Sequence, residues 1–238
     1  MTSNECRLLN HKLFSNLKFK SIVSYRMYKS QIGQDKWVES VLGGKRDGYF
    51  IELGASDGVI YSNTYYFEKS LGWKGISIEP NPLFHADLKR NRNCHICHFC
   101  VSDKDDEVLD FAICGHASGT VTTAGPFTNT KEVIKVPTKS MQSILKLYSA
   151  PSIIDYLSLD VEGHEYEVLK NFPFEEYVLR CITVEHNEPH VGSEMKLKIR
   201  SLLESKGYIF VKGNDDVHGW GHGPIDDFYI HSSVKLDF

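Results

Sequence analysis

Short apolar runs alternate along this chain with segments of helical periodicity, and glycine or acidic residues mark where the apolar runs end. The run at residues 49–53 is typical of a strand that is buried on both faces, and it leads into a glycine turn at 54–58. The glycines allow the backbone to bend tightly and to approach a ligand. A helix between residues 62 and 72 and a second strand at 75–78, which ends on Glu79, complete one predicted strand–helix–strand unit.

The same patterns predict the rest of the chain. A short helix between residues 30 and 42 should turn Trp37, Val38 and Val41 inward. Residues 114–126 lack periodicity and should form a loop over the site. Further strands are predicted at 94–101, 108–113, 131–137, 153–159, 179–184, 208–212 and 228–231, and further helices at 83–92, 140–148, 165–171 and 193–206.

Acidic residues close three of the predicted buried strands. Glu79, Asp160 and Glu185 stand at these ends, and Asp57 lies in the glycine turn. Because ligands of open parallel sheets bind beyond the carboxyl ends of the strands, these side chains should line one edge together. Unpaired carboxylates at such an edge cost free energy, so the pattern indicates a functional site rather than a stabilising feature.

The spacing at this edge indicates a cofactor that contains adenosine. Glu79 follows Gly54 by about 25 residues, near the distance at which such folds place the carboxylate that binds ribose hydroxyls. A dinucleotide would need G-x-G-x-x-G, whereas this turn contains Asp57 and follows Glu52. Negative charge there repels a pyrophosphate but suits a sulfonium and an amino group, which favours S-adenosylmethionine over NAD. The alternative is that the glycines serve turn geometry alone.

The order of the elements supports the same choice. The α/β part comes first and a pair of antiparallel strands ends the chain, which matches the methyltransferase form of the doubly wound sheet better than the dehydrogenase form. We therefore expect a mostly parallel, Rossmann-like α/β sheet with a terminal antiparallel strand pair.

Composition excludes several classes of protein. The 238 residues suit one large domain, 41% are hydrophobic, and the net charge of −4 gives no reason to expect a nucleic-acid partner. No apolar run is long enough to span a membrane, and no signal-peptide pattern stands at the start. The cysteine content is that of a chain with reduced thiols, so we expect a cytoplasmic location.

Residues 1–29 form a basic extension before a domain at 30–238. Apolar residues are interleaved there with Arg7, Lys12, Lys18, Lys20, Arg26 and Lys29. The extension could contact a membrane surface or a partner. The alternative is a helix packed on the domain or a frayed terminus.

Three cysteines stand at C-x-x-C-x-x-C spacing, at positions 94, 97 and 100, which suggests a metal or iron–sulfur site. If residues 94–101 form one strand, alternation places Cys94 and Cys100 on one face and Cys97 on the other. The cysteines then cannot share an ion.

Five motifs in order and spacing resemble the FkbM family of S-adenosylmethionine-dependent methyltransferases. They are Ser30-Gln-Ile-Gly-Gln-Asp35, Phe50-Ile-Glu-Leu-Gly-Ala-Ser-Asp-Gly58, Ser62-Asn-Thr64, Gly72-Trp-Lys-Gly-Ile-Ser-Ile-Glu-Pro-Asn81 and Leu159-Asp-Val-Glu-Gly-His-Glu165. The resemblance covers about residues 30–232 and implies a class I seven-stranded sheet and methyl transfer to a hydroxyl. Typical acceptors are sugars of polysaccharides or glycolipids, or natural products. Some proteins that resemble the family, such as those like the fly protein Star, use the fold for interaction, and a non-catalytic module is the alternative.

The resemblance also implies site residues. Glu52, Gly54 and Asp57 would line the methionine end of the cofactor, Glu79 would hold the ribose, and the pair Ser102-Asp103 would border the adenine. The other positions that the resemblance assigns to the cofactor are Gln34, Ala55, Ser62, Asn63, Pro80 and Asp160.

A sugar hydroxyl is a weak acid, so its methylation needs a base, a metal ion or both. His164 and His186 are the base candidates because each follows a strand-end acid, and Asp160 is the third catalytic candidate. Asp160 and Glu185, joined by His186 or Asn187, could hold a divalent cation such as Mg²⁺. The alternative is that the two acids bond acceptor and cofactor directly. The loops at 114–130 and 213–227 should select the acceptor, with side chains suited to stacking on a sugar, namely Phe127, His218, Trp220 and His222.

Overall fold

The computed structural model describes residues 27–121, 132–188, 192–213 and 225–234. Most of the predicted basic extension lies outside these ranges. So do the four side chains expected to stack on an acceptor, Phe127, His218, Trp220 and His222.

Strands and helices alternate through most of the described chain. The strands are β1 Tyr49–Leu53, β2 Lys74–Ile78, β3 His95–Cys97, β4 Cys100–Val101, β5 Val108–Ile113, β6 Gly119–Thr120, β7 Glu132–Lys139, β8 Ile153–Leu159, β9 Val178–Glu185, β10 Tyr208–Gly213 and β11 Asp226–His231. The helices are α1 Gln34–Val41, α2 Tyr65–Leu71, α3 Pro82–Asn91, α4 Met141–Leu147, α5 Glu165–Lys170 and α6 Ser193–Ser205, and a 3₁₀ turn spans Gly115–Ala117.

Seven strands form the main sheet in the order β10-β11-β9-β8-β1-β2-β3. β1 pairs in parallel with both β2 and β8, whereas β11 runs antiparallel to β9 and β10. The mostly parallel sheet with an antiparallel pair at its end is therefore confirmed. The strand order reverses between β1 and β8, and this switch point is where a doubly wound sheet opens a crevice for ligands.

The main sheet separates two apolar cores because side chains alternate across each strand. In β1, Ile51 and Leu53 face one core, together with Met141 of α4 and Leu203 of α6. Phe50 faces the other core, which Trp37, Val38 and Val41 of α1 share, as the sequence predicts. Alternation places Glu52 on this second face, although it is a carboxylate.

A second, four-stranded sheet of order β4-β7-β5-β6 lies beside the first and packs Cys100, Phe111 and Val136 together. The prediction of one strand over residues 94–101 is wrong, because the chain leaves the main sheet after Cys97 and enters the small sheet at Cys100. Cys97 and Cys100 are both buried and both free thiols. In the described ranges, the cysteines are not part of any group of three or more side chains that could hold a metal ion.

No helix among the described residues has the length and apolar character needed to cross a membrane.

Candidate active site

A cavity of about 490 Å³ opens at the carboxyl ends of β1, β2, β8 and β9. Its volume is within the range of small-molecule sites, and its lining mixes apolar walls with a few polar groups, as such sites do. The polar and acidic side chains that line it include Glu52, Ser56, Asn63, Glu79, His116, Ser118, Ser158, Asp160, Glu162, His164, Glu185 and Asn187. The sequence therefore placed the site at the correct edge of the sheet.

The turn after β1 requires glycine at position 54. Its φ of 78° lies in the left-handed region, and a β-carbon there would come within 2.0 Å of the carbonyl oxygen of Asp160. The amides of Gly54 and Ala55 both donate to the carbonyl of Ile78, 3.1 Å away. The ends of β1, β2 and β8 thus meet at a point where only backbone fits.

Replacing Gly54 by alanine should both unfold the turn and close the cavity. Left-handed backbone costs a residue with a β-carbon roughly 1–2 kcal/mol, and the clash with Asp160 adds to that. Gly43 provides the matched control, because it has a φ of 60° but a β-carbon added to it would meet no atom within 4 Å. We expect the melting temperature to fall several degrees further for Gly54→Ala than for Gly43→Ala. Equal losses would show that the close approach of the strands is not needed.

Glu52 is engaged inside the protein rather than by the cavity. Its carboxylate accepts hydrogen bonds from the Ser62 hydroxyl, the Asn63 amide and the Thr64 hydroxyl at 2.9, 2.7 and 2.7 Å. Arg92, fully buried at the end of α3, pairs with it at 3.0 Å. Glu52 lines the cavity, but the expectation that its charge serves a sulfonium is corrected, because Arg92 already balances that charge.

Asn63 presents an unpaired oxygen in the cavity wall. Its Nδ2 donates to the hydroxyl of Ser158 at 2.8 Å, which fixes the side chain against β8. Its Oδ1 is buried and has no hydrogen-bond partner. Because buried polar atoms are nearly always bonded, this oxygen fits the amino or hydroxyl group of a ligand.

Glu79 has one bond on each carboxylate oxygen and capacity left for more. The Ser56 and Asn81 amides donate to its two oxygens, both at 2.8 Å. Burial raises the pKa of Glu79 to about 7, against the lowering effect of these two amides. A ligand that donates hydrogen bonds would favour the charged form, which is what a ribose diol does.

Three carboxylates face one another at the ends of β8 and β9. One oxygen from each of Asp160, Glu162 and Glu185 lies within 4.8 Å of the others. Desolvation, then the charge of Asp160, raises the pKa of Glu162 to about 8 and that of Glu185 well above its ordinary range. Such a group calls for positive charge. Sequence reasoning missed Glu162, although an acid before the glycine of Asp160-Val-Glu-Gly163, with a φ of 55°, is a signal of a constrained site residue.

His186 does not face this cluster, so its assignment as base and as metal ligand is corrected. It is buried and does not line the cavity. Its Nε2 lies 3.5 Å from a carboxylate oxygen of Asp227 on the neighbouring β11, and its Nδ1 accepts from the Glu188 amide at 3.2 Å. Burial raises the pKa of Asp227, but His186 and Arg200 outweigh it and hold the pKa below its ordinary value. The sequence could not reveal the pairing of β9 with β11 that brings these groups together.

His164, the other base candidate, does line the cavity. It stands at the N-cap of α5, and its Nδ1 is buried without a hydrogen-bond partner. Desolvation lowers its pKa, against the raising effect of Glu167 and Asp103. The imidazole is therefore held neutral near pH 7, with a ring nitrogen available to a ligand.

Six of the other predicted cofactor residues do not contribute to the cavity lining, namely Gln34, Ala55, Asp57, Ser62, Ser102 and Asp103. Gln34 donates to Asp226 at 2.8 Å and Asp57 accepts from two amides of its own turn, so both shape the site from behind. Ser102 bonds to the exposed Asp103 away from the cavity, which corrects their assignment to the adenine.

The sheet order and a glycine-turn cavity between β1 and β8 define the class I S-adenosylmethionine-dependent methyltransferase fold. Residues 52–210 match the family described as the methyltransferase FkbM domain, which is more than half of the chain. The chain therefore belongs to the FkbM methyltransferase family, and the predicted membership is confirmed. A comparison with curated proteins gave no match.

Solved structures with a similar fold include three methyltransferases. Fibrillarin of Aeropyrum pernix, in complex with natively bound S-adenosyl-L-methionine, is 12% identical, with 78% of this chain and 67% of that one covered at a TM-score of 0.45. A putative rRNA methylase of Clostridium thermocellum is 12% identical, with 85% and 96% covered at 0.49. A putative caffeoyl-CoA O-methyltransferase of Staphylococcus aureus is 9% identical, with 97% and 93% covered at 0.48.

Proposed function

We propose that this chain transfers a methyl group from S-adenosylmethionine to a hydroxyl oxygen, and that the acceptor is a sugar of a glycan, polysaccharide or glycolipid. The observation that carries the proposal is a neutral, unpaired His164 nitrogen in the same cavity as Glu79 and the carboxylates of Asp160, Glu162 and Glu185. One cavity thus holds a base, a ribose-type carboxylate and a set of acids suited to a cation.

The residues that line the cavity fit this cofactor. Glu79 would bind the ribose hydroxyls, and the free oxygen of Asn63 would accept from an amino group. Gly54 leaves room for the ligand beside the backbone of Asp160. When bound, S-adenosylmethionine supplies an electrophilic methyl carbon on a positively charged sulfur, and acids of raised pKa at this edge complement that charge.

Catalysis by the chain then consists of alignment and proton removal. Holding the acceptor oxygen in line with the methyl carbon converts a bimolecular encounter into a positioned one. His164 would take up the hydroxyl proton at its unpaired ring nitrogen, and general-base catalysis of this kind contributes about 10²–10⁴-fold in rate.

Exposed side chains at the cavity mouth support a sugar acceptor. Tyr61 is 55% exposed and Ile60 is 50% exposed, and both line the cavity. Tyr61 has a φ of 60° and contacts Ser30 through a β-bridge, so its ring is held in place. A fixed, half-exposed aromatic ring offers an apolar face with a polar tip, which suits a carbohydrate ring.

A divalent cation at Asp160, Glu162 and Glu185 is an alternative use of the acids. Oxygen ligands are what Mg²⁺ prefers, and Glu162 replaces His186 in the predicted set. The competing proposal is that the acids face only the cofactor and the acceptor. Calorimetric titration with S-adenosylhomocysteine, with and without Mg²⁺, distinguishes the two, because only the first makes affinity or heat depend on the ion.

The function itself is tested by incubating the protein with methyl-labelled S-adenosylmethionine and a panel of polysaccharides and glycolipids. Alkali-stable label in the sugar fraction is expected, because a methyl ether survives alkali whereas a methyl ester does not. Failure of S-adenosylhomocysteine to bind would leave the non-catalytic interaction module as the function. We also expect the protein to act in the cytoplasm.

Replacing His164 by asparagine should lower the turnover number about 10²–10⁴-fold while leaving the dissociation constant of S-adenosylhomocysteine within a factor of about three, because the base acts on the acceptor. His186→Asn is the matched control, since that ring does not line the cavity. Turnover on the best acceptor of the panel measures both variants. A larger loss of turnover in His186→Asn, with its fold intact, would reverse the assignment.

A further inference from the structure

We propose that residues 115–118 form a cover over the nucleoside end of the cofactor, and that His116 binds the cofactor there. The inference rests on the proposed cofactor and extends it to a segment that neither the motifs nor the main sheet includes. We refer to residues 115–118 as the cover segment.

The cover segment reaches the cavity from the small sheet. It connects β5 to β6, and all four of its residues line the cavity. Its downstream neighbour Gly119 lies against the opposite wall, where a β-carbon would come within 3.2 Å of the β-carbon of Glu162. The chain therefore crosses from the β2 side of the cavity to the β8 side.

Two residues that hold the Glu79 carboxylate also hold the cover segment. The amides of Ser56 and Asn81 donate to Glu79, while their side chains bond to the cover. Ser56 Oγ lies 3.1 Å from Nδ1 of His116, and Asn81 Nδ2 donates to Ser118 Oγ at 3.1 Å. The cover is thus fastened on both sides of the carboxylate that would bind ribose. A ligand bound to Glu79 lies next to the cover.

The cover segment is rigid, and the ring of His116 has a fixed orientation. The Ser118 hydroxyl donates to the Gly115 carbonyl at 2.7 Å and accepts from the Cys114 amide at 2.8 Å, which closes the turn on itself. The His116 ring stacks on Phe84 at a centroid distance of 5.1 Å and an interplanar angle of 29°. A planar ring supported in this way beside Glu79 is suited to contact with a nucleoside, whereas the acids and His164 belong to the methyl-transfer end.

The test is calorimetric titration with two probes, S-adenosylhomocysteine and 5′-methylthioadenosine, the second of which lacks the amino-acid end. For His116→Ala we expect both dissociation constants to rise about tenfold, as the loss of one aromatic contact and one hydrogen bond predicts. Ser118→Ala should weaken both probes in the same direction, because it loosens the cover without removing the ring. The control is His95→Ala, which removes an exposed histidine that stacks on Tyr148 at 5.0 Å outside the cavity lining.

Each other outcome decides against the proposal. Unchanged affinity of His116→Ala for both probes would overturn it, while tight binding of S-adenosylhomocysteine by the wild type would leave the proposed function standing. Loss for S-adenosylhomocysteine alone would place His116 at the methionine end, contrary to the proposal. If wild type binds neither probe, the cofactor itself is wrong. Should His116→Ala fail to fold, Ser118→Ala decides by the same criteria.

Discussion

Replacing Glu79 by alanine should weaken the binding of S-adenosylhomocysteine about 100-fold. Hydrogen bonds to a charged group contribute about 1.5–3 kcal/mol each, and a ribose diol offers two donors to this carboxylate. The substitution also leaves the amides of Ser56 and Asn81 without their acceptor at the cavity wall. Calorimetric titration at pH 8 measures the effect. Glu79→Gln keeps the shape of the side chain, and it should lose less affinity than Glu79→Ala.

The same carboxylate should make cofactor affinity depend on pH. The pKa of Glu79 lies at about 7 in the ligand-free protein, because burial raises it. Below that pH the group carries a proton and binds the ribose less well, so the dissociation constant should rise about tenfold per pH unit on going below 7. The dependence should disappear in Glu79→Gln, which separates it from the titration of Glu162 and Asp226 nearby. A wild-type affinity that is flat between pH 6 and pH 8 would contradict the role given to Glu79.

Sequence patterns predicted the fold well because each strand has its own local signature. The apolar runs of β1, β8 and β9 and the amphipathic face of α6 are visible without any tertiary information. The exception, the break between β3 and β4, involves only two residues. An alternating stretch such as 94–101 fits a continuous strand equally well, and only the pairing of Cys100 with Thr138 of β7 decides against it.

The site was predictable where it depends on strand ends and unpredictable where it depends on contacts across the fold. Glu79, Asp160 and Glu185 line the cavity because parallel strands finish at one edge. His116 reaches the cavity only because the small sheet packs beside the large one, and no pattern in the sequence encodes that. Arg92 was missed for a related reason. A basic residue at the end of a helix usually lies in solvent, and its burial follows from the packing of α3 on the turn after β1.

Arg92 should be among the most sensitive positions of the chain. Its buried guanidinium pairs with Glu52 at 3.0 Å and with Glu68 at 2.8 Å, and it donates to the hydroxyl of Thr64 at 2.8 Å. Replacing it by methionine preserves apolar volume but leaves two carboxylates buried without a cation. We expect the free energy of unfolding to fall by about 3–5 kcal/mol, as is usual when one partner of a buried pair is removed. Denaturant titration at pH 7 measures the change.

The neighbouring Arg90 gives the matched control. It stands on the same helix and pairs with Asp87 at 2.8 Å, but both side chains are exposed, so Arg90→Met should cost less than about 1 kcal/mol. The pH dependence adds a second check. Burial alone would raise the pKa of Glu68, but Arg92 and Lys69 lower it to about 2, below its ordinary value. A lowered pKa stabilises the fold above the unfolded pKa near 4.5, and this stabilisation is lost as the pH falls through 2.

The deficit of Arg92→Met should therefore be complete at pH 7 and shrink as the pH falls below about 4.5, because protonation of the acids removes the charge that the arginine balanced. Adding Glu52→Gln to Arg92→Met should restore part of the stability, since a neutral amide needs no cation. A deficit in Arg92→Met no larger than that of Arg90→Met would mean that Glu52 is not held by charge pairing. The carboxylate would then be free to serve the cofactor, as the motif around residues 50–58 first indicated. A full deficit with partial rescue would instead assign Glu52 and Arg92 to the support of the turn that carries Asn63 into the cavity.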